Sequence, residues 1–206
     1  MRILVLGANG QIGRQIVQRL SPTNFVRAMV RKAEQFDALE KLGAHPIIGD
    51  LEKDFSYAYD EIDAVVFSAG SGGNTGPDKT IAVDQEGAIR AIETAKAKGV
   101  RRFVIVSSIL AGEPEKGPAS LALYLEAKGK ADDALLASGL DYTILRPVTL
   151  TDDAGTGKVD DASSSLQKTI TRADVAAFAA AVLPEEKTFG KIYTFANGET
   201  PIDDYL

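Results

Sequence analysis

Four polar side chains in this sequence have types and spacings suited to proton transfer. Tyr124 and Lys128 are four residues apart, so on a helix they share one face about one turn apart. A nearby ammonium lowers the pKa of a phenol from its reference value of ~10 and so makes proton donation at neutral pH more feasible. Ser107 and Ser108 follow the apolar run Phe103–Val106, where a hydroxyl could orient a substrate oxygen toward the phenol. The same Tyr-x-x-x-Lys spacing also arises by chance, as a surface tyrosine beside a solvated lysine.

A glycine loop near the N-terminus is suited to binding a diphosphate. Its glycines follow an apolar run directly and open a helical pattern, and their spacing is Gly-x-x-Gly-x-x-Gly. Such glycines permit a tight turn, a close approach of backbone to pyrophosphate, and close packing of helix on strand. The free N–H groups at the helix start favour negative charge. The alternative is a tight turn without a ligand. The residues we expect at the cofactor are Gly7, Asn9, Gly10, Gln11, Ile12 and Gly13.

The residues after the second predicted strand indicate which dinucleotide is bound. A carboxylate at this position would hold the ribose 2′-hydroxyl of NAD, whereas arginine accommodates a 2′-phosphate. Here Arg31 and Lys32 stand in that place, so we predict a preference for NADP(H), with NAD(H) possible. The alternative is a solvated basic pair. Farther along, Asp50-Leu51 could read the adenine, and the small residues Ser68-Ala69-Gly70 leave room for the adenosine ribose.

Short apolar runs alternate with longer helical patterns, which is typical of a parallel sheet with crossover helices. This predicts an α/β fold with one doubly wound, mostly parallel sheet of about seven strands and helices on both faces. The predicted strands are Arg2–Leu6, Phe25–Val30, Ala44–Ile48, Asp63–Phe67, Arg102–Val106, Tyr142–Leu145 and Lys191–Phe195. The predicted helices are Gln11–Leu20, Ala33–Leu42, Thr80–Ala97, Ala119–Ala137 and Arg172–Leu183. The segment Leu150–Ser165 is expected to be irregular.

Composition narrows the function classes. The 206 residues, 45% apolar and 25% charged, suit one globular domain over 1–206, with a substrate-loop region at about 148–206. Cysteine is absent and His45 is the single histidine, so neither a thiolate site nor a histidine metal site is expected. The net charge of −6 without long basic runs disfavours nucleic acid, and the five-residue apolar run at the N-terminus is too short for a membrane span. We expect a cytoplasmic protein.

Longer motifs resemble a known family. The chain is similar to the atypical branch of the short-chain dehydrogenase/reductase superfamily, which is described as NmrA-like or as NAD(P)-dependent epimerase/dehydratase proteins. The motifs that carry the resemblance are Gly7-x-x-Gly10-x-x-Gly13, Arg31, Asp50-Leu51, Val83-Asp84-x-x-Gly87, Gly99-Val100-x-Arg102-Phe103-Val104-x-Val106-Ser107-Ser108, Tyr124-x-x-x-Lys128, Ser138 to Pro147, and Arg172-Ala173-Asp174-Val175-Ala176.

This resemblance implies a Rossmann fold, bound NADP(H), and a catalytic set of Ser107 or Ser108 with Tyr124 and Lys128. It also implies that Lys128 and Pro147 contact the cofactor. Active members usually carry an asparagine in a proton relay where this chain has Asp84. About sixty residues follow Pro147, which is little material for a sugar-nucleotide pocket, so epimerisation is disfavoured.

Two functions follow from these features. The first is an NADPH-dependent reductase of a small carbonyl, quinone or flavin-like substrate, with Tyr124 as proton donor. The second is a non-catalytic module that senses NADP(H) and acts through a protein partner. The observation that suggests it is Asp84, which stands where active members usually carry asparagine. The substrate would be lined by residues 71–79, 110–119 and 150–165, whose sequences do not identify it, and the oligomeric state stays open.

Overall fold

Strands and helices alternate along the computed structural model, which describes residues 1–72, 75–163 and 167–206. The strands are β1 (Arg2–Leu6), β2 (Phe25–Val30), β3 (His45–Ile48), β4 (Ala64–Phe67), β5 (Arg102–Val106), β6 (Asp141–Pro147), β7 (Thr149–Thr151), β8 (Lys158–Asp161), β9 (Thr169–Thr171), β10 (Lys191–Asn197) and β11 (Thr200–Pro201). The α-helices are α1 (Gln11–Leu20), α2 (Phe36–Glu40), α3 (Pro77–Lys79), α4 (Ala88–Ala97), α5 (Ala122–Leu136), α6 (Arg172–Val182) and α7 (Ile202–Tyr205).

Nine of these strands form one sheet in the order β11-β8-β10-β6-β5-β4-β1-β2-β3. The seven strands from β10 to β3 are parallel to their neighbours. β8 is antiparallel to β10, and β11 is antiparallel to β8. The predicted doubly wound, mostly parallel sheet is therefore confirmed, with nine strands rather than about seven. The chain reverses its direction of travel across the sheet between β1 and β4, the position at which open α/β sheets bind ligands.

Helices cover both faces of the sheet because its strands are apolar on both sides. In β1, Ile3 and Val5 enter the core under α1 and α6, whereas Leu4 and Leu6 enter the core under α4 and α5. This alternation follows from the period of two along a strand. Helices therefore shield both faces of the central strands from water, and a ligand can reach the sheet only at its carboxyl edge.

Three predicted helices differ from the structure at their N-terminal parts. Residues 33–42 form a 3₁₀ turn at Ala33–Gln35 followed by the short α2. The predicted helix at 80–97 begins earlier, at Pro77, and Thr80–Gly87 is a π-helix. Residues 119–121 form a 3₁₀ turn ahead of α5. In each case the sequence pattern predicts that the segment is helical, but it does not distinguish an α-helix from a 3₁₀-helix or a π-helix.

The expectation that Leu150–Ser165 is irregular is wrong for residues 150–151, which belong to β7, and for residues 158–161, which form β8. Within β8 only Val159 is buried, so the sequence shows no apolar alternation to indicate a strand. The strand is instead stabilised by its neighbours, because β10 and β11 pair with its backbone. The carboxylate of Asp160 also accepts a hydrogen bond from the Thr200 hydroxyl at 2.8 Å. Residues 164 and 165 lie outside the described residues.

Among the residues that the structure describes, none of the helices combines the length and apolarity needed to span a bilayer.

Candidate cofactor and catalytic site

The glycine loop joins the end of β1 to the start of α1 in a turn without room for side chains. Gly7 has φ +82°, and a Cβ placed on it would lie 2.5 Å from the backbone of Ala69. A Cβ on Gly13 would lie 2.2 Å from the carbonyl oxygen of Gly7. At Gly10, the cap residue of α1, the corresponding distance to that oxygen is 3.3 Å. Gly7 and Gly13 are thus required by backbone packing, whereas Gly10 keeps the helix N-terminus open to a ligand.

A cleft of about 300 Å³ lies over this loop at the carboxyl edge of the sheet. Its walls come from the glycine loop and from the segments that follow β2, β3 and β4. The predicted cofactor residues that line it are Gly7, Asn9, Gly10, Arg31, Asp50, Leu51, Ser68, Ala69 and Gly70. Residues predicted from four separate segments of the sequence therefore line one continuous surface in the structure.

Other predicted cofactor residues lie outside this cleft. Gln11, Ile12 and Gly13 belong to the first turn of α1, and Lys32 is exposed beside the cleft rather than lining it. The sequence analysis missed several lining residues. These are Met29, Val30, Gln35, Gly49, Glu52, Ser71, Thr75, Lys79 and Val83. Five of them, Met29, Val30, Gly49, Glu52 and Ser71, lie one or two residues from a predicted one, whereas Gln35, Thr75, Lys79 and Val83 lie farther away.

Arg31 is the one cation at the β2 end of the cleft. Its side chain is exposed, and among the described residues it has neither an ion-pair nor a hydrogen-bond partner. On the opposite wall, Lys79 donates to the carboxylate of Glu52 at 2.7 Å and 2.9 Å. Lys79 is therefore neutralised across the cleft mouth, whereas Arg31 is available to an anionic ligand.

The candidate catalytic residues lie on a different part of the carboxyl edge and do not line this cleft. Lys128 on α5 is buried, with 2% of its surface exposed, and its Nζ donates to the carbonyl oxygen of Val106 at 2.9 Å. This bond fixes the ammonium at the last residue of β5. Tyr124 lies one turn earlier on the same helix and is half-buried. Among the described residues its hydroxyl has no hydrogen-bond partner, so the phenol is free to bind a substrate.

The two serines that follow β5 have different partners. The hydroxyl of Ser107 is buried and donates to Asp132 at 2.9 Å. The hydroxyl of Ser108 is half-exposed and donates to the carbonyl oxygen of Ile109 at 3.1 Å. Ser107 is thus committed to a protein partner, whereas Ser108 makes a local bond that a substrate can replace.

Asp84 lies in the π-helical segment Thr80–Gly87, which packs against α5. Only 1% of its surface is exposed, and its carboxylate accepts the backbone N–H of Ser71 at 3.0 Å. One carboxylate oxygen also faces Gly70, where an added Cβ would lie 3.2 Å away. Asp84 therefore holds the segment after β4 against the π-helix, between the cleft and α5. π-Helical turns often occur at functional sites.

Comparison with known proteins decides the family. The model of a family described as NAD(P)H-binding matches residues 7–186. The chain belongs to this NAD(P)H-binding family. The match begins at the first glycine of the loop and includes the cleft, the end of β5 and all of α5.

Individual relatives of this NAD(P)H-binding protein agree with the family. A Bacillus subtilis protein named as the uncharacterised sugar epimerase YhfK is 42% identical and covers 100% of this chain and 99% of its own length. A solved Bacillus halodurans protein, provisionally named an NAD-dependent epimerase/dehydratase, is 44% identical with a TM-score of 0.97, over 100% of this chain and 98% of that one. The oxidoreductase YlbE from Lactococcus lactis is 29% identical with a TM-score of 0.87, over 98% and 93%. The resemblance to NAD(P)-dependent epimerase/dehydratase proteins is confirmed.

The residues of this NAD(P)H-binding protein fit a dinucleotide. A Cβ at Gly7 or Gly13 would collide with backbone, so the loop places main chain where a side chain would otherwise stand. Open N–H groups at the start of α1 supply donors for phosphate groups, and so does Arg31, which has no partner among the described residues. Membership of the NAD(P)H-binding family thus accounts for the cleft.

Proposed function

We propose that this protein is an NADPH-dependent reductase of a small carbonyl, quinone or flavin-like molecule. Membership of the NAD(P)H-binding family supports a redox cofactor, and the oxidoreductase relative supports the reaction class. The observation that carries the proposal is the buried Lys128, which is fixed to Val106 one helical turn from the unpaired phenol of Tyr124.

The proposed roles of the side chains follow from their contacts. When bound, a nicotinamide cofactor would supply a hydride to the substrate carbonyl carbon. Tyr124 donates its hydroxyl proton to the carbonyl oxygen, so that the products are an alcohol and a phenolate that solvent reprotonates. Lys128 stabilises the phenolate by its charge. Ser108 is better placed than Ser107 to orient the substrate oxygen, because Ser107 is committed to Asp132.

The preference for NADP(H) over NAD(H) is also a proposal. It depends on Arg31, which lines the cleft without a partner among the described residues, and on the absence of an acid at the end of β2. A guanidinium binds a 2′-phosphate through charge-assisted hydrogen bonds. Asp50 and Glu52 also line the cleft, but from the segment after β3 rather than from the end of β2.

The test is NADPH consumption, followed at 340 nm, with a panel of aldehydes, ketones, quinones and flavins. We expect turnover with at least one class, and loss of most of it in Tyr124→Phe while NADPH still binds. The matched control is Tyr142→Phe, a tyrosine on β6 that is not among the proposed groups. Full turnover in Tyr124→Phe would rule out the phenol as proton donor.

The second candidate is a module that senses NADP(H) through a protein partner without chemistry. The observation that favours it is Asp84, which is buried and bound to Ser71 where active relatives usually carry asparagine. An acid fixed in this way holds the segment after β4 rather than a relay water. NADPH binding without consumption across the whole panel would favour this candidate.

A further inference from the structure

Asp132 is a fully buried acid with no role in the site described so far. It lies on α5 one turn after Lys128 and two turns after Tyr124, so the three side chains share one helix face. Its neighbour Asp133 carries the same side chain and is exposed. The helix thus presents one acid to water and one to the interior, on the same face as the proposed proton donor.

Three polar groups lie against a single oxygen of the Asp132 carboxylate. Oδ2 accepts hydrogen bonds from the hydroxyl of Ser107 and from Nε of Arg146, both at 2.9 Å, and Nη2 of Arg146 makes an ion-pair contact with the same oxygen at 2.9 Å. Oδ1 is buried and has no hydrogen-bond partner among the described residues. An arginine that only fastened two elements would gain most by forking onto both carboxylate oxygens. Fastening α5 to β6 therefore does not account for the arrangement.

The charges around Asp132 suggest what the carboxylate does. Two cations, Lys128 and Arg146, lie near it at the carboxyl ends of β5 and β6. Burial is the largest influence on Asp132 and raises its pKa above the usual value for a carboxyl, although Arg146, Ser107 and Lys128 act to lower it. The ion pair with Arg146 is the contact that favours the carboxylate form, and with Asp132 ionised the cluster of Lys128, Arg146 and Asp132 carries one net positive charge rather than two.

We propose that Asp132 is a positioning residue for the proton-donating set, in which it fixes Ser107 with Arg146 and cancels one of the two positive charges near Tyr124. The inference rests on the proposed function for its catalytic meaning, although the electrostatic claim can be tested without turnover.

Other charged groups occur on the elements that pack against α5. They are Asp84 and Glu86 on the π-helical segment, Arg90, Glu93 and Lys96 on α4, Lys116 with its ion-pair partner Glu113 at the next 3₁₀ turn, and Glu126 and Lys130, which pair with each other on α5 itself. All of these are unchanged in the variants below, so differences between variants report Asp132 and Arg146 alone.

The perturbation is Asp132→Asn, which keeps the shape and an acceptor for Ser107 but removes the negative charge. Eight residues along a helix span ~12 Å, and at an effective dielectric of ~20 a unit charge at that distance shifts a pKa by about one unit. Loss of the negative charge favours the phenolate, so the pKa of Tyr124 should fall by about one unit. Asp133→Asn is the matched control, and its solvent-screened charge should leave that pKa unchanged.

Two readouts report the pKa of Tyr124. The first is the absorbance of tyrosinate near 295 nm during a pH titration, after subtraction of the Tyr124→Phe protein to remove the other five of the six tyrosines. The second is the pH dependence of kcat for NADPH-dependent reduction, whose basic limb should move down by the same amount in Asp132→Asn. Arg146→Gln removes a cation instead, so in both readouts its shift should have the opposite sign. A merely structural role for Asp132 would not reverse the sign in this way.

The outcomes separate the inference from the proposed function. An unchanged Tyr124 pKa in folded Asp132→Asn, or an equal shift in Asp133→Asn, would overturn the positioning role. If Asp132→Asn does not fold, Arg146→Gln decides, because a rise in the Tyr124 pKa supports the role and no rise overturns it. A shifted Tyr124 pKa in a protein that reduces nothing leaves the positioning role standing and overturns the reductase. Turnover whose basic limb stays at the same pH in Asp132→Asn supports the reductase and overturns the positioning role.

Discussion

Replacement of Asp174 by alanine should destabilise the fold strongly, because several hydrogen bonds converge on its carboxylate. Its carboxylate joins three parts of the chain at the N-terminus of α6. It accepts the backbone N–H groups of Thr156 at 3.0 Å and Gly157 at 2.8 Å, the hydroxyl of Thr171 at 2.9 Å, and the side-chain amide of Asn197. Thr171 in turn accepts the backbone N–H of Asp174 at 3.0 Å, as the cap of the helix.

The magnitude follows from the donors left behind. The residue is 1% exposed, and alanine would leave the hydroxyl of buried Thr171, the amide of half-buried Asn197 and the N–H groups of the exposed 156–157 turn without this acceptor. Each unpaired buried donor costs about 1–3 kcal/mol, and relaxation of the exposed 156–157 turn recovers part of it. We therefore expect a loss of about 4 kcal/mol in the free energy of unfolding. For a domain of this size that corresponds to a fall in Tm of roughly 8–16 °C.

The assay is urea unfolding of Asp174→Ala followed by circular dichroism, with Asp153→Ala as the control. Asp153 is an exposed acid in the preceding loop, so its removal should change stability by less than about 0.5 kcal/mol. A loss below about 1 kcal/mol in Asp174→Ala, with an unchanged m-value, would show that the carboxylate does not join these segments in solution.

Three further outcomes are expected. Burial acts to raise the pKa of Asp174, but the hydrogen bonds to its carboxylate outweigh burial and lower that pKa. The stability that the carboxylate contributes is therefore complete above its unfolded pKa of about 3.9 and is lost as the pH falls below that value. The difference in unfolding free energy between the protein and Asp174→Asn should shrink in acid. Gly13→Ala should abolish the rise in Tm caused by NADPH, since its Cβ would lie 2.2 Å from the Gly7 carbonyl, whereas Gly99→Ala, with open space around it, should keep that rise. Arg31→Ala should weaken NADPH about 10- to 100-fold in a binding titration and leave NADH unchanged, and equal weakening of both would refute the 2′-phosphate role.

The cleft over the glycine loop could be predicted from sequence because its determinants are local. The end of β1, the three glycines and the start of α1 follow one another without interruption, and Arg31 lies one residue beyond β2. The opposite wall could not be predicted in the same way. Glu52 and Lys79 are 27 residues apart and meet only because β3 and α3 converge on the cleft mouth.

The burial of Asp132 could have been predicted from its helical spacing in the sequence. In the run Ala131-Asp132-Asp133-Ala134 both acids look like the solvated face of a helix. Counting by four from Tyr124 through Lys128 reaches Asp132 and not Asp133, so helical phase alone separates the buried acid from the exposed one. The two strands β8 and β11 carried no such signal, because their stability comes from pairing with distant backbone rather than from their own apolar residues.

Different kinds of contact hold the two parts of the candidate site, so substitutions in each part should have different effects. Around the glycine loop the contacts are between backbone atoms, so a single Cβ at Gly7 or Gly13 is enough to displace main chain. Beside α5 the contacts are between polar and charged side chains, and the positioning role that we propose for Asp132 depends on the balance of charge among Lys128, Arg146 and Asp132. A substitution in the first half should therefore act on cofactor binding as a whole, whereas one in the second should act on proton transfer and leave cofactor affinity intact. Measuring NADPH affinity and the pH profile on the same variants distinguishes these two classes.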